Sequence, residues 1–190
     1  MSARLRLGRL LRAKSVRTGR FTLASGRESD YYIDARLTTM SGEGQLLVGE
    51  VCYQAIVATE WSPDHVGGMT LGADPVAYAI AREATGRGRP IDAFTVRKAA
   101  KAHGARRRIE GCLAVGARAV VVDDAVTTGG SLLAAARAVE DFGAEVVGVV
   151  ALVDREEGAR ELLAEAGYDF RPVFAARELL AELDGSVDQP

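Results

Sequence analysis

The chain has 190 residues, of which 48% are hydrophobic and 26% charged, and its formal net charge is −2. This length fits one domain with a well-packed core, and the composition excludes a chain that is disordered throughout. No apolar stretch approaches the ~20 residues of a membrane-spanning helix, which excludes an integral membrane protein. The 2 cysteines and 2 histidines are widely separated and give neither a disulfide framework nor the ligand spacing of a structural zinc site. We therefore expect a protein of the reducing cytoplasm.

The N-terminal segment is basic, and its leucines predict a first helix. Residues 1–20 carry seven Lys or Arg and no acid, whereas residues 154–190 carry ten acids and four arginines. Leu7, Leu10 and Leu11 lie at helical spacing, which favours a helix over a transit peptide.

Further along the chain, short apolar runs alternate with helical patterns. The alternation in 21–34 predicts a hairpin or irregular strands. The predicted strands after it are 66–69, 91–96, 119–122, 145–153 and 168–174, and the predicted helices are 45–59, 75–83 and 131–142. Continuous apolar strands alternating with helices are typical of a parallel sheet that is covered on both faces. The predicted fold class is therefore α/β.

A predicted strand that runs into two adjacent acids is the most informative feature. The strand 119–122 is followed by Asp123 and Asp124, and then by the small and hydroxyl-bearing residues 127–131, which open the next helix. Ligands of parallel sheets bind beyond the carboxyl ends of the strands, and the N–H groups of a helix N-terminus favour a phosphate. Two carboxylates would repel a bare phosphate, but they can accept hydrogen bonds from sugar hydroxyls. This loop therefore predicts a site for a phosphorylated sugar.

The alternative for this loop is a simple helix cap. A cap uses one hydroxyl, and it gives no reason for the two acids and the glycines of the loop. Other nucleotide motifs are absent from the sequence. There is no Gly-x4-Gly-Lys-Ser/Thr, and the glycines at 42 and 44 fail the dinucleotide pattern because position 47 is leucine.

Residues 97–108 form a short basic segment that follows a predicted strand. The segment contains six Lys or Arg and a histidine. A solvated basic face and a nucleic-acid surface are alternatives, but the chain is net acidic and no aromatic residues interleave with the cations. We favour a cationic loop that closes over a polyanion, stabilises the charge of a departing pyrophosphate and excludes water. We expect no nucleic-acid partner and no membrane contact.

Several other residues have a structural interpretation. His65 follows a Ser-Pro-Asp loop and is predicted to lie at the surface, Cys52 is predicted to lie in the core, and Trp61 is predicted to pack near a helix end. Tyr31 and Tyr32 could flank a substrate ring, but a half-buried strand explains them equally well.

The acidic pair followed by Thr-Thr-Gly-Gly-Ser resembles the phosphoribosyl pyrophosphate (PRPP) signature of the type I phosphoribosyltransferases. This resemblance implies that Asp123 and Asp124 hold the ribose 2- and 3-hydroxyls, and that 127–131 hold the 5-phosphate. The PRPP-binding loop that it implies comprises Ala125, Val126, Thr127, Thr128, Gly129, Gly130 and Ser131.

Two further segments resemble the orotate phosphoribosyltransferase family. They are Phe-Thr-Leu-Ala-Ser-Gly at 21–26 with Ser-x-Tyr-Tyr-Ile-Asp at 29–34, and Phe-Thr-Val-Arg-Lys-Ala-Ala-Lys-Ala-His-Gly at 94–104 with Ile-Glu-Gly at 109–111. Together with the PRPP signature and with Asp154-Arg155 at a strand end, these segments cover most of residues 5–160, and they occur in the order of the family. The resemblance implies one phosphoribosyltransferase domain over 1–190, with a mostly parallel twisted sheet flanked by helices. It further implies a hood formed largely by 1–40 and a core over 41–175.

The orotate resemblance also implies roles for individual residues. The implied catalytic residues are Lys101, His103, Asp123 and Asp124. Arg97 and Lys98 would join Lys101 and His103 on the pyrophosphate, Thr127 and Arg155 would hold orotate, and 70–74 would line the pyrophosphate pocket. One departure concerns Ala24, where many family members have a lysine that contacts orotate or pyrophosphate.

The function that the resemblance implies is transfer of the 5-phosphoribosyl group from PRPP to N1 of orotate. The products are orotidine 5-phosphate and pyrophosphate, in de novo pyrimidine biosynthesis. Mg²⁺ would arrive on PRPP, so no metal site made only of protein ligands is expected. A homodimer is implied, with the basic loop shared between subunits. The alternatives are a PRPP-binding regulator without catalysis and a purine phosphoribosyltransferase; the segment 21–34 and Arg155 speak against the latter.

Overall fold

A six-stranded, mostly parallel sheet forms the centre of the fold. The computed structural model describes residues 1–22, 28–98 and 108–184. In chain order its elements are α1 (Ala3–Ser15), β1 (Val16–Thr22), β2 (Glu28–Ile33), α2 (Arg36–Thr39), α3 (Gly42–Val57), β3 (His65–Met69), α4 (Ala73–Gly86), β4 (Asp92–Val96), β5 (Ile109–Gly111), β6 (Arg118–Val126), α5 (Gly130–Phe142), β7 (Glu145–Asp154), α6 (Ala159–Glu165), β8 (Phe170–Ala175) and α7 (Ala176–Asp184). No helix in these described ranges is both long and apolar enough to cross a membrane.

The sheet order is β5-β4-β3-β6-β7-β8, and only the β4–β5 pair in it is antiparallel. Helices cover both faces, so the strands are buried on both sides. Val120 and Val122 of β6 belong to the core beneath α1, α3, α4 and α7, whereas Val121 belongs to the core beneath α5 and α6. This alternation follows from the two-residue period of a strand, and the fold class predicted from the sequence is confirmed.

The strands β1 and β2 form a separate antiparallel hairpin before the central sheet. The predicted first helix is confirmed, and it ends at Ser15 because Val16 pairs with Ile33 at the base of the hairpin. This junction is fixed by the buried Ser15, whose Oγ lies 2.7 Å from Thr38 Oγ1 and whose carbonyl accepts from the Asp34 N–H at 2.9 Å.

The strand β6 is longer than the predicted strand 119–122. It continues to Val126 because β7 remains paired with it as far as the Val126–Asp154 register. Asp123 and Asp124 therefore belong to the strand itself, and not to the loop that follows it. The backbone of both acids is fixed by a neighbouring strand.

The prediction that His65 lies at the surface is wrong. Its side chain is 11% exposed, and its Nδ1 lies 2.6 Å from Asp64 Oδ1. Its Nε2 lies 2.9 Å from the carbonyl oxygen of Cys112, so the ring joins the start of β3 to the chain just beyond β5. The predictions for Cys52 and Trp61 are confirmed, because both side chains are buried in the core.

Gly148 lies directly against the Trp61 ring, and a Cβ at this position of β7 would overlap ring atoms. We expect Gly148→Ala to lower the free energy of unfolding by about 1–3 kcal/mol, because the indole must shift in a close-packed core. Urea denaturation measures this change. The matched control is Gly86→Ala at the end of α4, where an added Cβ meets open space. This control is expected to be neutral or to raise the free energy of unfolding by up to ~1 kcal/mol. Equal effects of the two substitutions would contradict the close packing of Gly148 against Trp61.

Candidate active site

A cleft of about 260 Å³ lies where the carboxyl ends of β3 and β6 meet. Ligand sites in parallel sheets occur at this edge, because loops from neighbouring strands come together there. Both members of the acidic pair, Asp123 and Asp124, line the cleft. The other described lining residues are Arg36, Met69, Thr70, Leu71, Gly72, Lys98, Ala125 and Ser131.

The carboxyl groups of Asp123 and Asp124 are held by backbone N–H groups of their own strand. Asp123 Oδ1 accepts from the Asp124 N–H at 3.0 Å, and Asp124 Oδ1 accepts from the Ala125 N–H at 2.9 Å. The backbone of Gly72 lies against both carboxyls, and a Cβ at Gly72 would overlap Asp124 Oδ1. A larger residue at position 72 would therefore have to displace the Asp124 carboxyl.

Burial makes ionisation of this pair costly. It is the main reason that the pKa of Asp123 rises to about 8, and the negative charge of Asp124 raises it further. Burial also raises the pKa of Asp124, although hydrogen bonds and the charge of Arg36 oppose the rise. An incoming ligand that donates hydroxyl groups or carries a cation would stabilise the ionised pair.

The loop 127–131 leads from β6 into α5, as predicted. Gly129 occupies the N-cap position in the left-handed region, with φ of 85°, and no side chain among the described residues makes a cap hydrogen bond there. The alternative of a simple helix cap predicts such a bond, so the structure argues against it. The first N–H groups of α5 have no preceding helical carbonyls to bond, as in known phosphate sites at helix N-termini.

A carboxylate on α4 joins the loop after β3 to the neighbouring strand. Asp74 Oδ2 accepts from Thr70 Oγ1 at 2.7 Å, and Asp74 Oδ1 accepts from Thr95 Oγ1 at 2.8 Å. Thr95 Oγ1 also lies 3.2 Å from the Tyr78 hydroxyl. These bonds fix the loop 70–72 relative to β4, whose end leads to Lys98.

Arg155 follows β7 and is buried at the hairpin side of the site. Its guanidinium carbon lies 5.1 Å from the centre of the Tyr31 ring, and its Nε lies 3.1 Å from Glu157 Oε1. Its backbone N–H donates to the Val126 carbonyl at 2.9 Å, which places Arg155 and Thr127 at the ends of adjacent strands. The structure thus brings together the two residues predicted to hold orotate.

The predicted basic segment lies partly outside the described residues. The Arg97 N–H donates to the Arg108 carbonyl at 2.7 Å, so the two ends of the segment are paired beside the cleft. Lys98 is exposed and lines the cleft. Lys101 and His103 lie outside the described residues, as does the part of the N-terminal motif at 23–27 that contains Ala24.

Sequence reasoning missed two residues of this region, Arg36 and Glu157, and gave Gly72 no role of its own. Arg36 lies two residues after Asp34 in the tyrosine-rich segment, and that charge pair was the available signal. Gly72 was included only as part of the segment 70–74. Nothing in the sequence singles out Glu157 among the acids that follow β7.

Comparison with known proteins decides the family. Residues 43–166 match the model of the phosphoribosyl transferase domain. An orotate phosphoribosyltransferase of Mycobacterium tuberculosis H37Rv is 48% identical over 176 residues, which cover 93% of this chain and 96% of that protein. One from Streptomyces avermitilis is 50% identical over 170 residues, which cover 89% of this chain and 92% of that protein. The chain belongs to the orotate phosphoribosyltransferase family.

The fold agrees with this family assignment. The crystal structure of the orotate phosphoribosyltransferase of Mycobacterium tuberculosis H37Rv in complex with PRPP superposes with a TM-score of 0.79 at 43% identity. The match covers 94% of this chain and 99% of that one. The type I phosphoribosyltransferase fold and the family predicted from the sequence are therefore confirmed.

Asp123→Asn is expected to stabilise the ligand-free protein increasingly as the pH rises. The native pKa of Asp123 is about 8, mainly because of burial, and its ordinary value is 3.8. At a pH between 3.8 and about 8, Asp123 keeps its proton in the native state but has lost it in the unfolded chain. The stability that protonated Asp123 contributes is complete below about pH 4 and is lost as the pH rises to about 8. Asparagine has no charge to bury and keeps an oxygen for the Asp124 N–H.

Urea denaturation of both proteins across this pH range measures the effect. Asp141→Asn on α5 is the matched control, because Asp141 is exposed. The difference between Asp123→Asn and wild type should grow with pH, whereas the control should show no comparable trend. A difference that is independent of pH would contradict the burial of a protonated carboxyl.

Proposed function

We propose that this protein transfers the 5-phosphoribosyl group from PRPP to N1 of orotate and releases orotidine 5-phosphate and pyrophosphate. It is a transferase of pyrimidine biosynthesis by its family. The observation that carries the assignment to orotate is the buried Arg155, which lies over Tyr31 and next to Thr127. A carboxylate-bearing planar base suits a guanidinium beside an aromatic ring, whereas a purine base has no carboxylate to pair with it.

Two groups of residues would hold PRPP. Asp123 and Asp124 would accept hydrogen bonds from the ribose 2- and 3-hydroxyls, and their burial supports this role because hydroxyl donors stabilise the ionised pair. The loop 125–131 would hold the 5-phosphate with backbone N–H groups and hydroxyls at the start of α5. Arg97, Lys98, Lys101 and His103 would contact the pyrophosphate.

Catalysis would consist mainly of positioning and charge stabilisation. Orotate N1 would attack the anomeric carbon while the bond to pyrophosphate breaks, through a transition state with positive charge on the ribose, and the N1 proton would leave to the pyrophosphate or to water. Asp123 and Asp124 would orient the ribose, and Lys101 and His103 would stabilise the negative charge that develops on pyrophosphate. The paired ends of the basic segment support this role, because they lie beside the cleft.

We propose Mg²⁺ as the cofactor, carried by PRPP. Within the described residues no group of three or more His, Cys, Asp or Glu side chains could hold a metal ion. The two carboxyls of the cleft fit an ion that would be held by phosphate and ribose oxygens and water, because they would accept hydrogen bonds from the ribose hydroxyls. When bound, the ion would reduce the negative charge of the pyrophosphate.

We also propose that the segment 1–40 serves as a hood over the core 41–175, within one domain in the cytoplasm. The hairpin supports this role, because Tyr31 of β2 lies over the Arg155 guanidinium. The protein would act as a homodimer in which part of the basic segment reaches the neighbouring cleft.

An exposed apolar face supports the homodimer. Gln45 of α3 donates hydrogen bonds to the Thr39 and Pro75 carbonyls, so α2, α3 and α4 pack together beside the cleft. Four apolar side chains on these helices and on the residue after α2 are about half exposed, and we propose that they share one surface, the three-helix face: Leu37, Met40, Leu46 and Tyr78. Such a concentration of exposed apolar residues is typical of an interaction surface.

The loss of orotate absorbance on mixing with PRPP and Mg²⁺ tests the proposed reaction. Adenine, guanine, hypoxanthine and uracil are assayed in parallel, and only orotate is expected to react. Turnover of a purine base would instead identify a purine phosphoribosyltransferase. Tight PRPP binding without turnover of any base would identify a regulator. Asp124→Asn is purified in the same way and shows whether contaminating enzyme from the expression host contributes to the activity. Its affinity for PRPP should fall by about tenfold, because a charged hydrogen-bond acceptor is lost.

Leu46→Glu is expected to convert the dimer into a monomer, because it places a charge within the three-helix face. Sedimentation velocity measures the change, and turnover should fall with it if the basic segment is shared. Val57→Glu is the matched control on the same helix, since Val57 is also exposed but lies at the far end of α3. A dimer that survives Leu46→Glu, or dissociates equally with Val57→Glu, would contradict this location of the interface.

A further inference from the structure

Arg36 is fixed at the edge of the cleft by a two-point ion pair with Asp34. Its Nε donates to Asp34 Oδ1 at 2.8 Å, and its Nη2 donates to Oδ2 at 3.0 Å. Its backbone N–H also donates to Oδ1, at 3.2 Å. The side-chain hydrogen bond from Arg36 is the main cause of the lowered pKa of Asp34. The two hydrogen bonds orient the guanidinium, and Asp34 does not use its Nη1 group.

This guanidinium belongs to the pyrophosphate side of the cleft. Arg36 lines it together with the loop 70–72, Asp124 and Lys98. The described residues that line this part of the cleft do not include Arg155, which marks the proposed orotate end. The charge of Arg36 partly offsets that of Asp124, and the same guanidinium lines the cleft, where it can also meet an anionic group of a ligand.

The charge of PRPP explains why a second cation is needed here. The acidic pair repels anions, and the N-terminus of α5 can supply donors to only one end of a ligand that carries phosphate groups at both ends. At the other end, Arg36 and Lys98 are the cations among the described lining residues. Lys98 is exposed on the chain after β4, whereas Arg36 is already oriented by Asp34. A preorganised guanidinium suits the paired oxygens of a phosphate group.

We propose that Arg36 is a further substrate-binding residue, which contacts the pyrophosphate group of PRPP. Asp34 is then a positioning residue that acts through Arg36. This role rests on the proposed function, since it assigns Arg36 to one substrate of that reaction. This role predicts different effects on the two substrates: the affinity for PRPP depends on Arg36, and the affinity for orotate does not.

The experiment compares wild type, Arg36→Ala, Arg36→Lys, Asp34→Asn and the control Arg82→Ala. Arg82 is an exposed arginine of α4 with an acidic neighbour, Glu83, and it does not line the cleft among the described residues. Calorimetry measures the Kd of PRPP with Mg²⁺ and that of inorganic pyrophosphate with Mg²⁺, both without orotate. Steady-state kinetics then give the separate KM values for PRPP and orotate.

Arg36→Ala should weaken PRPP and pyrophosphate binding by about tenfold or more, because a charge-assisted hydrogen bond is lost. The KM for orotate should not change, Arg36→Lys should recover part of the affinity, and Arg82→Ala should match wild type. Asp34→Asn gives the sharpest distinction. If only net charge mattered, Asp34→Asn would bind PRPP and pyrophosphate more tightly, because it removes a negative charge. If Asp34 acts by positioning the Arg36 guanidinium, Asp34→Asn should bind both more weakly.

Unchanged pyrophosphate affinity in Arg36→Ala, or a rise in KM for orotate alone, would overturn the role. If Arg36→Ala fails to fold, tighter PRPP binding by Asp34→Asn would overturn it equally. If wild type binds PRPP but uses no orotate, the proposed function fails, and the comparison of Kd values still decides the role of Arg36.

Discussion

Two adjacent carboxyl groups at the end of β6, one buried and one partly buried, constrain the rest of the cleft. Asp123 and Asp124 have little access to water, and their own backbone supplies only part of the hydrogen bonding that two carboxylates require. A larger residue in place of Gly72 would have to displace the Asp124 carboxyl, because the backbone there lies against both acids. Two ionised carboxyls at this position therefore destabilise the fold relative to a neutral strand end. The same two carboxyls that lower the stability of the fold can bind a hydroxyl-bearing ligand.

The sequence predicted the sheet well because its strands are buried on both faces. Continuous valine-rich runs such as those in β6 and β7 have few alternatives to a parallel sheet, and glycine marks the end of α5 at position 143. The ends of strands were harder to predict. The continuation of β6 through Asp123 depends on its pairing with β7, and no local pattern contains that information. His65 was misjudged for the same reason, since its partner at Cys112 is distant in the sequence.

The site was predictable where its residues are neighbours in the chain. Asp123, Asp124 and the loop 127–131 form one continuous motif, so their chemistry could be inferred before their positions were known. Arg36 and Gly72 contribute from two other elements, and only the fold brings them to the acidic pair. Gly72 carries no such signal in a sequence in which glycine is common, and the spacing of Asp34 and Arg36 predicts an ion pair but not its position at the cleft.

The hydrogen bonds around Asp74 connect the cleft to the three-helix face. Thr70 lies in the loop at the cleft, and Tyr78, which is bonded to Thr95, is one of the exposed apolar residues of that face. A second copy bound there would cover one end of this chain of hydrogen bonds, while a ligand would contact the other. Subunit association and PRPP binding would then be thermodynamically linked, so each would change the affinity of the other by the same factor.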